Sequence, residues 1–159
     1  MPMGEDAPRC SRCGDTTLRD ETETLSVKLP RSDVTASVAV PARRCPACGE
    51  VHLDGTLAQR FQLAACSELA DAGVDTGEAL RHMRKVLGLR AAELARLLDV
   101  TPETISHWET GKARPNRAAF VAVCAMADDA LHGRTTTRDR LELLAKGRVY
   151  PRALVVKLR

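Results

Sequence analysis

Four of the six cysteines fall in two matched motifs, Cys10-Ser-Arg-Cys13-Gly14 and Cys45-Pro-Ala-Cys48-Gly49, with 31 residues between Cys13 and Cys45. Each motif presents two sulfurs from a tight turn whose glycine relieves the backbone. Together they supply the four thiolates that tetrahedral Zn²⁺ takes at about 2.3 Å. Four cysteine ligands leave no vacant position, so one structural Zn²⁺ per chain is expected, bound by Cys10, Cys13, Cys45 and Cys48. A redox-active CxxC expects a helix and a thioredoxin-like βαβ context after the cysteines, and none follows Cys13. His52 lies near the second motif and is read as a surface histidine. Cys66 and Cys124 stand singly inside helical patterns and are read as small buried apolar residues.

A second kind of chemistry is carried by Arg90 to Pro115, RAAELARLLDVTPETISHWETGKARP. Leu94, Ala95 and Leu98 share one helix face, and Ile105 with Trp108 give a second helix its own. The turn between them has a reason at each position. Ala95 is small where two helices cross, and Asp99 tolerates the left-handed conformation that a helix stop often needs. Val100 can plug the gap. Thr101 is an N-cap candidate, Pro102 suits the first helical position, and Gly111 is a stop signal. These residues, through the Trp-Glu-x-Gly-Lys pattern, resemble the XRE-type (Cro/repressor-like) helix-turn-helix family.

That resemblance implies a reading helix, Pro102 to Thr110, whose first turns enter the major groove. Matched position by position, Pro102, Glu103 and His107 face base edges, and Thr101, Thr104 and Ser106 face phosphate or base. Lys112, Arg114 and Arg117 lie where phosphate ligands are expected, and Lys112 and Arg114 have no obvious salt-bridge partner. Ala91 stands where the family often has Gln, so one usual backbone contact is missing. One reading helix covers few base pairs, so a homodimer on a palindromic double-stranded operator is expected, its contact in residues 116–159. A CxxCG…CxxCG module ahead of such a motif resembles the MqsA-like (YgiT-type) antitoxin family over residues 10 to 131. The resemblance implies a type II antitoxin: the zinc domain contacts a toxin, commonly an mRNA-cleaving ribonuclease, and the helix-turn-helix represses the operon. The chain departs from that family in the residues after Leu131.

The elements that must position these groups follow from periodicity. Leu25, Val27 and Leu29 alternate, as do Val34, Ala36, Val38 and Val40, giving two strands joined by a turn at Pro30-Arg31-Ser32-Asp33. This hairpin brings the second CxxCG beside the first. Leu57, Phe61, Ala64, Ala65 and Leu69 mark a helix ending at Gly73, with its apolar face on the hairpin, and residues 71–76 read as an adjustable link. Leu80, Met83 and Leu87 mark the next helix. Phe120, Val121, Cys124, Ala127 and Leu131 mark a later one. A short helix should follow over 138–146, and residues 149–158 read as a strand or a basic tail. The expected architecture is α+β with two domains. A zinc-ribbon-like module spans 1–75, an all-α helix-turn-helix domain 76–134 and a basic extension 135–159.

The whole chain, 159 residues with 28% charged, carries a net charge of +3. Residues 1–75 hold 8 Lys/Arg against 12 Asp/Glu and residues 135–159 hold 7 against 2. An acidic front suits a basic ribonuclease partner and a basic rear suits a polyanion. No membrane span or signal-peptide pattern is present, so a cytoplasmic location is expected. No paired carboxylates, nucleophile–base pair or phosphate loop marks an enzyme. The alternative to an antitoxin is a stand-alone zinc-containing XRE-type regulator without a toxin partner.

Overall fold

A computed structural model describes residues 9–29, 33–147 and 152–156. Three strands, β1 (Arg19–Leu29), β2 (Val34–Arg44) and β3 (Val51–His52), precede six helices: α1 (Gly55–Asp71), α2 (Gly77–Val86), α3 (Ala91–Leu97), α4 (Pro102–Thr110), α5 (Arg117–Leu131) and α6 (Thr136–Ala145). The result is α+β: an antiparallel sheet of order β1-β2-β3 carrying the cysteines, followed by a helical domain.

The hairpin pairs Leu29 with Val34 at its tip and Arg19 with Arg44 at its base. Both strands outrun the apolar alternation that announces them. Arg19 to Glu21 of β1 are exposed and charged, so burial leaves no pattern there. The expected turn at 30–33 lies outside the described residues except for Asp33, whose φ of 51° is left-handed. Leu29 and Val34 at the tip join the helical core, whereas the cysteines lie beyond the opposite end. By strand rise the two ends are roughly 33 Å apart.

Helix α1 starts near the cysteine end, where the Asp54 carboxylate accepts from the Thr56 backbone N–H and caps it. Over its length of roughly 25 Å it runs back along β2 toward the tip. It has two apolar sides. Leu57, Phe61 and Ala64 face a groove against β2, while Leu63, Cys66 and Leu69 are buried, and the helix packs more extensively on α5 and α2 than on the sheet. The expectation of an apolar face directed at the hairpin therefore captures only one side. One cluster runs from Leu29 through Cys66 and Leu69 to Leu80, Met83 and Val123, so the link after α1, expected to be adjustable, joins parts of a shared core.

Within α5 the buried stripe is Phe120, Val123, Met126 and Ala127, and Val121 is 65% exposed. The expected face was rotated: positions 120, 123 and 127 follow the i, i+3, i+7 rule, and Val121 falls outside it. In α3 it is Leu97, with Leu94 and Ala95, that is buried, and Leu98 is only partly so. Helix α6 packs on α5 and α3 yet buries none of its residues fully. Residues 152–156 form neither helix nor strand; the rest of the stretch from 148 onward lies outside the described residues.

The α5–α6 corner is held by Asp129, whose carboxylate accepts from the Thr137 backbone N–H at 2.7 Å and from Arg134 Nε at 3.0 Å. Hydrogen bonds from the Thr137 side chain and backbone, then from Arg134, bring its pKa down to about 2. A carboxyl whose pKa is depressed on folding contributes stability above its unfolded value, near 4, and loses it as pH falls through the folded value. Asp129→Asn should therefore lower stability at neutral pH and flatten the acid limb between about pH 4 and 2. Helical circular dichroism followed against pH tests this, and an acid transition identical to that of the unaltered chain would contradict it.

Candidate metal centre and nucleic-acid interface

The two CxxCG turns fold alike because their sequences repeat. In the first, Gly14 N–H donates to the Cys10 carbonyl at 2.9 Å and Cys10 N–H to the Asp15 carbonyl at 2.7 Å. In the second, Gly49 donates to Cys45 at 2.8 Å and Cys45 to Glu50 at 2.9 Å. Gly14 and Gly49 have φ of 79° and 76°, a conformation that side chains resist. Arg44, last residue of β2, fixes the second turn to the sheet: it donates to Glu21 at 2.6 and 2.9 Å, to Glu23 at 3.3 Å and to the Gly49 carbonyl at 3.0 Å.

All four Sγ atoms lie within 4.8 Å of one another. Cys10 to Cys48 and Cys13 to Cys45 are 3.5 Å apart. Tetrahedral zinc at bond lengths near 2.3 Å sets its sulfurs about 3.8 Å apart, so the donor set and spacing fit such an ion. Burial pushes the Cys10 thiol up, but the Cys13 and Arg12 backbones, then His52 and Cys48, outweigh it and bring it down to about 6. At Cys13 the Asp15 backbone pulls down while Cys45, burial and the other sulfurs push up to about 12. Thiolates so close repel one another, and a divalent cation removes that repulsion. His52, expected at the surface, is half-buried with Nε2 3.3 Å from Cys10 Sγ. The two-residue strand β3 places it there, pairing Arg43 with His52 across the sheet. Metal-bound sulfurs and histidines are commonly oriented by such neighbours.

At the other site the turn chemistry is as the sequence indicates. Asp99 has φ of 53°, Gly111 is left-handed at 78°, and the Thr101 side chain accepts from the Thr104 backbone N–H at 3.1 Å. Pro102 opens α4. Ile105 and Trp108 are buried against the core while Pro102, Glu103 and Ser106 are exposed and Thr104 and His107 are partly so. His107 Nε2 lies 3.7 Å from Glu103 Oε1, one helical turn apart on the outer face. The Thr101 hydroxyl is shared with Thr104 Oγ1 at 2.9 Å, so the cap already uses it.

Lys112, Arg114 and Arg117, which follow α4, are all exposed. Lys112 has no ion pair among the described residues. Arg114, expected without a partner, pairs with Asp75 at 3.2 Å; with 86% of its side chain exposed the pair contributes about 0–1 kcal/mol and yields readily to a phosphate. Arg117 begins α5 beside its Asn116 cap.

Sequence reading missed what seats α4. Glu109, within the Trp-Glu-x-Gly-Lys stretch, is buried and takes Arg84 of α2 in a two-pronged pair, Nε to Oε1 at 2.5 Å and Nη2 to Oε2 at 2.9 Å. Arg84 Nη1 also donates to the Leu89 carbonyl at 2.8 Å. Glu109 and the hydrogen bonds to it hold the Arg84 pKa above its ordinary value. The available signal was its spacing: Glu109 follows Ile105 by four residues and so shares the inward face of α4.

Residues 75–128 match the family described as a helix-turn-helix domain. An "Uncharacterized HTH-type transcriptional regulator" of Archaeoglobus fulgidus is 36% identical over 55 residues, which cover 34% of this chain and 24% of that protein. The chain thus spans about a quarter of that relative's length. No solved structure matches the chain. No helix among the described residues is long and apolar enough to cross a membrane. With α3 and α4 joined through the left-handed Asp99 and α4 seated on α2, residues 75–128 form a helix-turn-helix domain, carried behind a sheet that gathers four cysteines.

Proposed function

We propose that this chain is a sequence-specific DNA-binding transcriptional repressor acting in the cytoplasm as a type II antitoxin. In this reading the helix-turn-helix dimer represses its own operon, and the sheet module, stabilised by one structural Zn²⁺, holds a basic ribonuclease toxin. The observation that carries the DNA half is the outer face of α4, where Glu103 and His107 stand together, flanked by exposed Lys112, Arg114 and Arg117. The acidic balance of residues 1–75 supports the toxin half. A stand-alone zinc regulator is favoured instead by the shared core, which couples the sheet to the helix-turn-helix. Copurification from the native host separates the two: a small basic protein held by this chain supports the antitoxin, and its repeated absence the lone regulator.

Specificity and affinity should divide between residues. A carboxylate accepts from cytosine N4 and an imidazole donates to guanine, so Glu103→Ala or His107→Ala should lose about 1–3 kcal/mol on the operator and relax base preference there. Lys112→Ala should weaken all sequences alike and lower the salt slope by about one unit. Titrations on operator and scrambled DNA at several salt concentrations check both. Equal weakening of both DNAs by Glu103→Ala would show that the reading face is wrongly assigned.

A further inference from the structure

The sheet has an unfinished edge. Strand β2 pairs with β1 along its whole length, but on its other side, among the described residues, β3 pairs only with Arg43 and Arg44. Beside the open stretch runs a groove of about 670 Å³ between β2 and α1. Thr35 and Ser37 line it as well as Val34, Ala36 and Val38. Residues from both faces of one strand meet a groove only where it follows the strand's edge. Its far wall is Phe61 with the neighbouring apolar turns of α1, and one residue of each charge, Arg60 and Glu68, stands among its lining residues.

The same chain carries a segment of matching chemistry. Arg152-Ala153-Leu154-Val155-Val156 is neither helix nor strand, and its Leu154, Val155 and Val156 are 79%, 89% and 79% exposed. Apolar, β-branched residues in a run of this length are strand formers, and their exposure in a monomer calls for a partner. The charges also match: residues 135–159 carry 7 Lys/Arg against 2 Asp/Glu, while the sheet module is acidic.

We infer that the β2–α1 groove receives residues 152–156 of a second copy of this chain, added as a strand along the open edge of β2. Backbone hydrogen bonds would supply affinity and the alternate apolar side chains would fill the groove. The donor is a second copy because the end of α6, Leu144 and Ala145, lies with Asn116 and Ala118 at the start of α5, whereas the groove borders Leu131 at the far end of that helix, roughly 20 Å away by helix rise, and the chain's own Leu154, Val155 and Val156 stand exposed rather than in it. Reciprocal exchange about a two-fold axis closes the assembly at two chains and brings two reading helices together. The inference rests on the dimeric reading of the helix-turn-helix and specifies its contact.

The test uses the full zinc-loaded chain, with sedimentation analysis across concentration and amide hydrogen exchange. The wild type should dimerise, with the amides of Leu154 to Val156 protected at high concentration and exchanging at open-chain rates on dilution. The double variant Val155→Asp/Val156→Asp, altering a segment already exposed, should weaken the dimer at least tenfold. Val38→Glu, in the groove wall, should do the same with the helical spectrum unchanged. Dimerisation unaffected by either variant overturns this contact while leaving a dimeric repressor standing. Protection of 154–156 that is independent of concentration also overturns it, since the chain's own segment would then fill the groove. A monomer at every concentration overturns the contact and the dimeric reading together.

Discussion

Cys45→Ser is expected to abolish metal binding and to melt the cysteine end of the sheet while most of the helical content survives. Cys45 is fully buried among the sulfurs, and three thiolates with a hydroxyl no longer satisfy a tetrahedral sulfur site. Among the described strand residues only Leu29, Val40 and Ala42 are buried, so the hairpin has little apolar core of its own to replace the ion. Apparent binding free energies of structural zinc sites are about 10–16 kcal/mol, more than a module this small obtains from burial. The helices draw on a different source, the fully buried Leu80, Met83, Leu94, Ile105 and Val123. Metal analysis should give one zinc per wild-type chain and none in the variant, with amide protection lost first around β2 and β3. A variant whose sheet amides stay protected in the presence of chelator would contradict the structural role of the ion.

Glu109→Ala should be among the most damaging single changes in the helix-turn-helix. The carboxylate is 9% exposed and its Arg84 partner 12%. Deleting one charge leaves the other desolvated and unpaired, which costs about 3–5 kcal/mol, a large part of the 5–15 kcal/mol typical of a whole domain. At roughly 2–4 °C per kcal/mol the melting temperature should fall by about 10 °C. Replacing both members, Arg84→Met with Glu109→Leu, should recover most of that loss because no charge remains buried. Urea unfolding of the single and double variants decides the matter: a loss below about 1 kcal/mol for Glu109→Ala would mean that the pair is solvated and does not seat α4.

What could be read from sequence was local. The CxxCG turns, the left-handed Asp99, the Thr101 cap and the Gly111 stop each depend on a few neighbouring residues, and all adopt the conformations their types favour. What could not be read depends on which elements meet. Helix α1 is apolar on two sides because it lies between sheet and bundle, a situation that weakens any single-faced pattern. Val121 and Val123 are equivalent in propensity, and only the position of α5's neighbours buries the second. Gly77 reads as an ordinary helix start, yet a Cβ there would lie 1.7 Å from the Trp108 carbonyl oxygen, so glycine is what lets α2 approach α4. The partnership of Arg84 with Glu109 spans 25 residues and follows from that approach. His52 likewise reaches Cys10 only because β3 pairs with β2.

The most direct measurement is an equilibrium titration of the full zinc-loaded chain onto the DNA upstream of its own gene and onto a scrambled duplex of equal length, repeated across salt concentrations. A helix-turn-helix repressor should bind the upstream DNA about 10³-fold or more tighter than the scrambled duplex, as two chains per palindrome, with affinity falling steeply as salt rises. Equal affinity for the two duplexes, or no binding to either at low salt, would contradict the assignment of α4 as a sequence-reading helix.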